Sequence, residues 1–511
     1  MNRLDVRYFS ASRREWTFAA FVVLAYVAVA TWATVTHEMW RDELHCWLVA
    51  RDSQSPWQVI RERAYDGQPP LWYLLLWVLT RFTWRPELMR VVHLSIAASV
   101  VAVFARYAPW PRPARVLFSF GYFVAYEYAA LSRCYGLALL FALLLCVGHA
   151  RRHERPFTTG ILLAALGLTT TVATLLAAAY ALAMAIDWLA DRSLSRPPWR
   201  VVAIPFGLAA AGGFAAALCA WPPEDSTVAH IGVAPQMPWD FAWTRIVAAL
   251  VPIPPADFFF WNSNALLDFL PGEGARFALA SAIFAWAIVV VSSDRFASLL
   301  FGLATVLLVA LFKCVYSGSV RHHGFIFVAF LMATWIAREA CAGDRPAAGW
   351  RAVRGAALLP TVALGLAVQV PGAAIAIAYD TRYVFSSGKR AADELRSRGL
   401  QRALLVAEFD YPATAMLGQL GPDALAYSPR TGRPFTFVKW TRDRLWEPTD
   451  EQAIDFAVRL GVARGENPVL VMNRPLRPAL IDGERVVPLA EKYDSMIEEE
   501  NFYLYRIKCG R

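Results

Sequence analysis

The chain has 511 residues, of which 57% are hydrophobic and only 18% are charged, whereas a soluble domain carries about 25% charged residues. The mean hydropathy is +0.38, and apolar runs of roughly 20 residues, long enough to cross a bilayer, recur along the chain. The composition therefore predicts a polytopic membrane protein. The net charge of +9 resides in short loops between apolar runs, as the positive-inside rule produces, so we expect no nucleic-acid partner.

The seven cysteines are scattered and include no Cys-x-x-Cys pair, so we expect neither a disulfide framework nor a zinc site. The first apolar segment is too long for a cleavable signal peptide, and its flanks do not resemble a cleavage site. We expect no cofactor. A divalent metal stays open chemically, but no set of ligands in the sequence supports one.

Basic residues set the expected topology. Arg3, Arg7, Arg13 and Arg14 precede the first apolar run, and later basic loops lie at 106–115, 151–156, 191–200 and 338–354. If all of them face the cytoplasm, the N-terminus is cytoplasmic and the chain crosses the membrane eleven times. The predicted spans are Thr17–Thr36, 88–105, 114–131, 134–149, two crossings within 158–188 with a turn near 169–171, 201–220, 276–292, 296–315, 323–338 and 355–373.

Two segments between these spans are expected on the outer face, at 37–87 and 221–275. The first contains the short apolar stretch 69–82, which begins with two prolines and is read as an in-plane or re-entrant helix. The composition changes after Tyr379, where an amphipathic helix is followed by short apolar strands in RALLVAEF, NPVLVMN and NFYLYRIK. Residues 1–379 are thus expected to form the transmembrane domain and 380–511 an extracytoplasmic α/β domain.

Ionisable residues cluster where the predicted spans reach the outer face. Arg41, Asp42 and Glu43 directly follow the first span. The remaining candidates lie in YEYAALSRCYGL and at the junction of spans 296–315 and 323–338, and they are Glu127, Arg133, Tyr135, Lys313, Arg321, His322 and His323. Such residues are costly in or beside a bilayer and commonly mark a functional site.

The chemistry of this set indicates group transfer from a lipid-linked phosphate. A carboxylate can deprotonate an acceptor hydroxyl, and arginine or imidazolium can hold the departing phosphate. Structural roles are open for each residue taken alone. Asp42 could cap a helix that begins at Glu43, Arg133 and Lys313 could extend towards the membrane interface, and the Arg321-His322-His323 segment could be a solvated turn or part of a metal site.

In these motifs the sequence resembles the GT-C glycosyltransferases, specifically the protein O-mannosyltransferase and aminoarabinose transferase superfamily. The resemblance rests on Asp42-Glu43 after the first helix, on Gln68-Pro69-Pro70-Leu71 at the start of a juxtamembrane helix, and on Arg133-Cys134-Tyr135. It covers about the first 150 residues. Two departures stand out, because Gln68 replaces the usual histidine and Ala-Leu-Ser stands where many relatives have a second carboxylate beside the Arg-x-Tyr motif.

The resemblance implies a GT-C-like transmembrane domain and an inverting transfer of a sugar from a polyprenyl-phosphate donor to an extracytoplasmic acceptor, which is a protein, lipid or glycan in the relatives. It implies Asp42 as the general base, Glu43 as a residue that orients either the acceptor or the base, and Arg133 and Tyr135 in the same cavity. The charges of Arg321 and of His322 or His323 point to the donor phosphate. The expected location is a bacterial inner membrane.

Two functions of other classes compete with this interpretation. A transporter or flippase of polyprenyl-linked lipids would show inverted repeats and helices broken at mid-membrane, whereas here the polar groups gather towards one face. A lipid-binding assembly factor would use residues 380–511 to recruit a partner and would not need Asp42.

Overall fold

The computed structural model describes residues 13–193, 196–227, 237–343 and 350–510. Arg3, Arg7 and parts of the loops 191–200, 221–275 and 338–354 lie outside the described residues. The described helices are, in chain order, α1 (Arg13–Thr36), α2 (Arg41–Asp52), α3 (Pro56–Glu62), α4 (Leu71–Thr80), α5 (Glu87–Tyr107), α6 (Arg112–Ser119), α7 (Tyr135–Gly148), α8 (Pro156–Gly167), α9 (Thr171–Ala190), α10 (Arg200–Ala220), α11 (Trp239–Leu250), α12 (Ala265–Phe269), α13 (Gly272–Val291), α14 (Arg295–Cys314), α15 (Val320–Gly343), α16 (Trp350–Arg382), α17 (Gly388–Ser397), α18 (Asp410–Leu420) and α19 (Asp450–Arg464).

The polytopic membrane fold is confirmed. Among the described residues, eight helices are long and apolar enough to cross a membrane, namely α1, α5, α9, α10, α13, α14, α15 and α16. Helices α4, α7 and α8 are apolar but shorter. The total of eleven crossings and the assignment of sides stay predictions.

The expected division of the run 158–188 into two helices is confirmed. Helix α8 ends at Gly167 and α9 begins at Thr171. Threonine hydroxyls satisfy carbonyls that the break releases, because Thr169 donates to the Leu166 carbonyl at 2.6 Å and Thr174 donates to the Gly167 carbonyl at 2.6 Å. A turn of this kind removes the cost of unsatisfied backbone groups in an apolar environment.

The continuous span predicted at 114–131 is wrong. Helix α6 ends at Ser119, and a single π-helical turn, Phe123–Glu127, follows it. Residues 121–136 are all buried. Irregular backbone is tolerated at membrane depth when it is buried in protein, and π-helical turns are frequent at functional sites.

The chain divides into two compact units, one within Met1–Thr34, Val92–Cys219 and His230–Tyr379, and the other within Val35–Val91, Ala220–Ala229 and Asp380–Arg511. In the first unit α14 packs against α9 and α15, and α11 packs against α13 and α15. The interior faces of α14 and α15 are rich in Leu, Phe and Ala. The buried polar residues of this unit are thus held by a closely packed helical core.

The second unit contains a small mixed sheet, as expected for an α/β domain. Its strands are β1 (Leu405–Ala407), β2 (Ala426–Tyr427), β3 (Pro434–Phe435), β4 (Val469–Met472), β5 (Val486–Tyr493) and β6 (Phe502–Ile507), in the order β3-β2-β1-β4-β6-β5. Strand β1 is parallel to β2 and β4, and the other pairs are antiparallel. Leu405 and Ala407 contribute to the apolar core on one face, and Val406 contributes to the core on the other.

Helix α2, from the first predicted outer loop, packs on this sheet layer. Leu48 belongs to the same apolar core as Leu405 and Ala413. The helices α2 and α18 approach closely at Gly418, where an added Cβ would lie 2.9 Å from the Cβ of Leu44. Within the second unit, the helix that carries Asp42 is therefore positioned by the C-terminal α/β layer.

Candidate functional site

Asp42 is the second residue of α2, and its side chain is half-buried. The N-cap is Trp40 and not Asp42, so the structural alternative that made Asp42 a cap is wrong. The acid with the capping role is Glu43, whose Oε2 accepts the backbone N–H of Trp40 at 3.3 Å. Glu43, and not Asp42, therefore supplies the capping carboxylate at the start of α2.

Glu43 is also one member of a buried ionic cluster that we call the His37 cluster, formed by His37, Glu43 and Asp380. His37 Nε2 lies 3.0 Å from Glu43 Oε2, and His37 Nδ1 lies 2.9 Å from Asp380 Oδ2. Burial lowers the pKa of His37, but attraction by Asp380 and Glu43 outweighs it and raises this pKa to about 10. The imidazolium is thus a fixed cation between two carboxylates, and Arg90 donates to the His37 carbonyl.

Arg41 joins the start of α2 to the last turn before β6. Its backbone N–H donates to Glu500 Oε1 at 3.2 Å, and its guanidinium pairs with Glu499 at 2.5 Å. The guanidinium carbon also lies 5.2 Å from the ring centre of Tyr411. Burial raises the pKa of Glu500 to about 7, although Arg41 opposes the shift.

The Gln68-Pro69-Pro70-Leu71 motif leads into α4, with Pro70 as the N-cap. Two groups meet on the carboxylate of Asp66 just before it, since His45 Nε2 lies 2.8 Å and the Tyr73 hydroxyl 2.8 Å from Asp66 Oδ2. Asp66 therefore links α2 to α4 immediately before the motif.

In the first unit the structure brings Arg133, Tyr135, Arg321 and His322 together, and we call this group the arginine cluster. The Tyr135 hydroxyl lies 2.9 Å from His322 Nε2. Both Arg133 and Arg321 are near enough to Tyr135 and His322 to act on them electrostatically. Arg133 is 8% exposed and Arg321 is 6% exposed, so neither the interfacial role for Arg133 nor a solvated turn at Arg321 holds.

The hydrogen bonds of His322 fix its charge. The backbone N–H of Ser319 donates to His322 Nδ1 at 3.0 Å, so Nδ1 carries a lone pair and the proton is on Nε2. His322 is therefore a neutral donor towards Tyr135, which corrects the expectation of an imidazolium at this position. The positive charge of the cluster therefore comes from the two arginines.

The other predicted site residues make side-chain contacts with residues outside the arginine cluster. Glu127 is fully buried and accepts the Tyr122 hydroxyl at 2.9 Å. His323 Nε2 lies 3.0 Å from the Ser317 carbonyl. The Lys313 ammonium lies 5.7 Å from the ring centre of Trp239 and takes no part in the hydrogen bonds of the arginine cluster. In the part of the chain that the structure describes, no group of three or more His, Cys, Asp or Glu residues is placed to hold a metal ion.

An apolar cavity of about 540 Å³ lies further along α15 and is bounded also by α11, α13 and α16. Trp286, Phe327, Phe330 and Leu366 are among its lining residues. Arg321 precedes Phe330 on the same helix by about 14 Å of helix rise. Helix α15 thus contains the buried Arg321 near its start and, further along, residues that line the apolar cavity.

Sequence reasoning missed His37, Asp380 and Glu500. His37 could have been noticed, because it is a histidine at the end of an apolar run just before an acidic pair. Glu500 ends a run of three glutamates that reads as a solvated turn, and no local signal distinguishes it from its exposed neighbours.

Comparison with known proteins found no matching family model and no matching curated protein. Among solved structures, the chain is similar to ArnT from Cupriavidus metallidurans bound to undecaprenyl phosphate, with a TM-score of 0.43, 12% identity, and 97% of this chain and 98% of that one covered. It is also similar to the arabinofuranosyltransferase AftD from mycobacteria, with a TM-score of 0.38 and 14% identity, over 97% of this chain and 40% of that one. Similarity at these TM-scores and identities does not establish a function for this chain.

Proposed function

We propose that this protein is a membrane glycosyltransferase that moves a sugar from a polyprenyl-phosphate donor to an acceptor hydroxyl outside the cytoplasm. The observation that carries the proposal is the pair of buried arginines, Arg133 and Arg321, on a helical unit whose helix α15 continues into an apolar cavity. Guanidinium groups can hold a phosphate through paired, charge-assisted hydrogen bonds, and the apolar cavity can accommodate a long hydrocarbon tail. The Asp42-Glu43, Pro69-Pro70-Leu71 and Arg133-Cys134-Tyr135 motifs support the same assignment.

In the proposed reaction the acceptor oxygen attacks the anomeric carbon in a single displacement, which inverts its configuration. The new carbon–oxygen bond forms as the bond to the phosphate oxygen breaks, and the bonding pair leaves with the lipid phosphate. Arg133 and Arg321 stabilise this charge. The Asp42 carboxylate takes the hydroxyl proton.

Glu43 acts in this proposal by positioning and not by contact with the acceptor, because its carboxylate is fully buried against His37. The neutral His322 donates its Nε2–H to the Tyr135 hydroxyl, which leaves the hydroxyl proton of Tyr135 as an uncharged donor for a phosphate oxygen beside the arginines.

The Asp42→Asn variant tests the proposal. In liposomes containing a panel of undecaprenyl-phosphate sugars, we expect the variant to transfer sugar about 10²–10⁴-fold more slowly than the wild type, the usual contribution of a general base. The matched control is Asp52→Asn, which makes the same change at the other end of α2, where the acid pairs with Arg51. If the Asp42→Asn variant transfers sugar at the wild-type rate, Asp42 is not the general base. Absence of turnover with every donor in the wild type would reject the glycosyltransferase.

A further inference from the structure

A small polar cavity of about 170 Å³ lies in the first unit at the start of α15. Three carboxylates, Asp240, Asp268 and Glu273, and two guanidinium groups, Arg245 and Arg276, line it. Both arginines are anchored, because Arg245 Nε donates to the Phe241 carbonyl at 3.0 Å and Arg276 Nε donates to the Leu270 carbonyl at 3.3 Å. Anchoring fixes the planes in which the remaining N–H groups point.

The cavity adjoins the arginine cluster through α15 and the loop before α12. Val320 lines the cavity and immediately precedes Arg321. Asn262 also lines it and accepts the backbone N–H of Val320 at 3.4 Å, while its neighbour Trp261 lies with its ring centre 5.3 Å from the Arg321 guanidinium carbon. The loop residues 261–262 thus reach both the cavity and the Arg321 guanidinium.

The backbone at Asn262 is strained. Its φ is +61°, and within the described residues it is the only residue other than glycine with a positive φ. Such a conformation costs on the order of 1 kcal/mol or more and persists where surrounding contacts enforce it, often beside a ligand. Here it directs the Asn262 carboxamide to the start of α15 and the cavity.

We propose that this cavity binds the sugar ring of the lipid-linked donor, an inference that rests on the proposed function. In such a donor the anomeric carbon is bonded to a phosphate oxygen, so the sugar must enter a polar space immediately beside the cations that hold the phosphate. Sugar hydroxyls both donate and accept hydrogen bonds, and the cavity offers carboxylates as acceptors and guanidinium groups as donors. Because carboxylates outnumber guanidinium groups, the cavity disfavours an anionic sugar such as a uronic acid.

The test separates sugar binding from phosphate binding in the full-length protein in liposomes. The probes are undecaprenyl phosphate without sugar, used as a competitive inhibitor, and undecaprenyl-phosphate donors carrying a pentose, a hexose or a hexuronic acid. Asp268→Asn and Arg276→Gln change the cavity at side chains that reach solvent, and Arg321→Gln changes the arginine cluster. The matched control is Asp257→Asn, since Asp257 lies in the same loop but its carboxylate accepts the Phe259 N–H.

We expect Asp268→Asn and Arg276→Gln to raise KM for the preferred neutral donor about tenfold or more, the effect of losing a hydrogen bond to a charged group. The inhibition constant of undecaprenyl phosphate should stay within about twofold, and the hexuronic donor should be the poorest substrate. Arg321→Gln should weaken the binding of both the donor and undecaprenyl phosphate, whereas Asp257→Asn should weaken the binding of neither.

Two results would overturn the inference. If the cavity variants leave KM and donor preference unchanged while Arg321→Gln weakens undecaprenyl phosphate, the cavity is not the sugar site and the proposed function stands. If the wild type turns over none of the donors, the proposed function fails and the inference fails with it.

Discussion

The imidazole of His37 is the clearest case in which a single buried residue organises the surroundings of Asp42. It bonds two carboxylates that come from the start of α2 and the end of α16. Removing one partner of a buried ionic group leaves the others uncompensated, which is more costly than the net benefit of the intact pair.

We predict that His37→Gln destabilises the protein by about 3–5 kcal/mol near neutral pH, because Glu43 and Asp380 lose their cation. The folded-state pKa of about 10 lies above the ordinary value, so the stabilisation is fully present below pH 6.5 and is lost as the pH rises through 10. Thermal unfolding of both proteins in detergent between pH 6 and 10 measures the difference. His153→Gln is the control. If the stability difference between the wild type and His37→Gln does not narrow with rising pH, His37 is not the cation of the cluster.

Glu500 has the same sign of pH dependence as His37, but in a lower pH window. Its pKa of about 7 is above the ordinary value of a carboxyl, so the folded protein holds a proton that the unfolded chain has already released between about pH 4.5 and 7, and stability falls as the pH rises through this window. Glu500→Gln cannot ionise, yet its amide oxygen still accepts the Arg41 N–H.

We predict that Glu500→Gln gains stability relative to the wild type as the pH rises from 4.5 to 7, by about 3 kcal/mol at most. Thermal unfolding across this range checks it. Glu499→Gln is the control, because Glu499 pairs with the same Arg41 as Glu500 does but is half-exposed. A stability difference between the Glu500→Gln variant and the wild type that stays constant at every pH would show that folding does not raise the pKa of Glu500.

At the scale of elements, the contact between α2 and α18 decides where Asp42 is held. Two helices of the second unit pack closely there because residue 418 has no side chain. A methyl group at this position would overlap Leu44, and overpacking of a closed core forces helices apart.

We predict that Gly418→Ala lowers the free energy of unfolding by about 1–3 kcal/mol and also lowers sugar transfer, because α2 must shift with Asp42. Gly510→Ala is the control, since an added Cβ there meets no atom within 4 Å. Unfolding and transfer assays are measured on the same preparations. If the Gly418→Ala variant is less stable but transfers sugar at the wild-type rate, the position of α2 does not limit catalysis.

At the scale of the whole molecule, each long apolar helix that crosses the membrane places its two ends on opposite sides of it. Cys314 is exposed near the end of α14, and Cys341 is exposed near the opposite end of the next span, α15. The positive-inside rule places the basic segment 338–354 in the cytoplasm, so the start of α15, with Arg321, is expected outside.

We predict that a membrane-impermeant maleimide labels a variant retaining only Cys314 in right-side-out vesicles and a variant retaining only Cys341 in inside-out vesicles. A cysteine-free variant is the control. The reverse pattern would place Arg321 at the cytoplasmic face and reject the extracytoplasmic reaction.

How much of the fold could be predicted differs between segments. The spans 88–105, 201–220 and 276–292 and the strands of the C-terminal domain were predictable because apolar length and alternation are local properties. The segment 114–131 was not, since its hydrophobic residues are equally compatible with a lipid-facing helix and with the buried, broken backbone that forms.

The sequence alone determined the membrane class, the C-terminal α/β domain and the motifs that contain Asp42, Arg133 and Tyr135, because each depends on residues close together in the chain. Only the tertiary structure decided which of these groups are charged and what holds them. His37 meets Asp380 across 343 positions and Arg41 meets Glu500 across 459. The neutral state of His322 depends on the backbone N–H of Ser319. Protonation follows from burial and from partners in space, and folding alone brings those partners together.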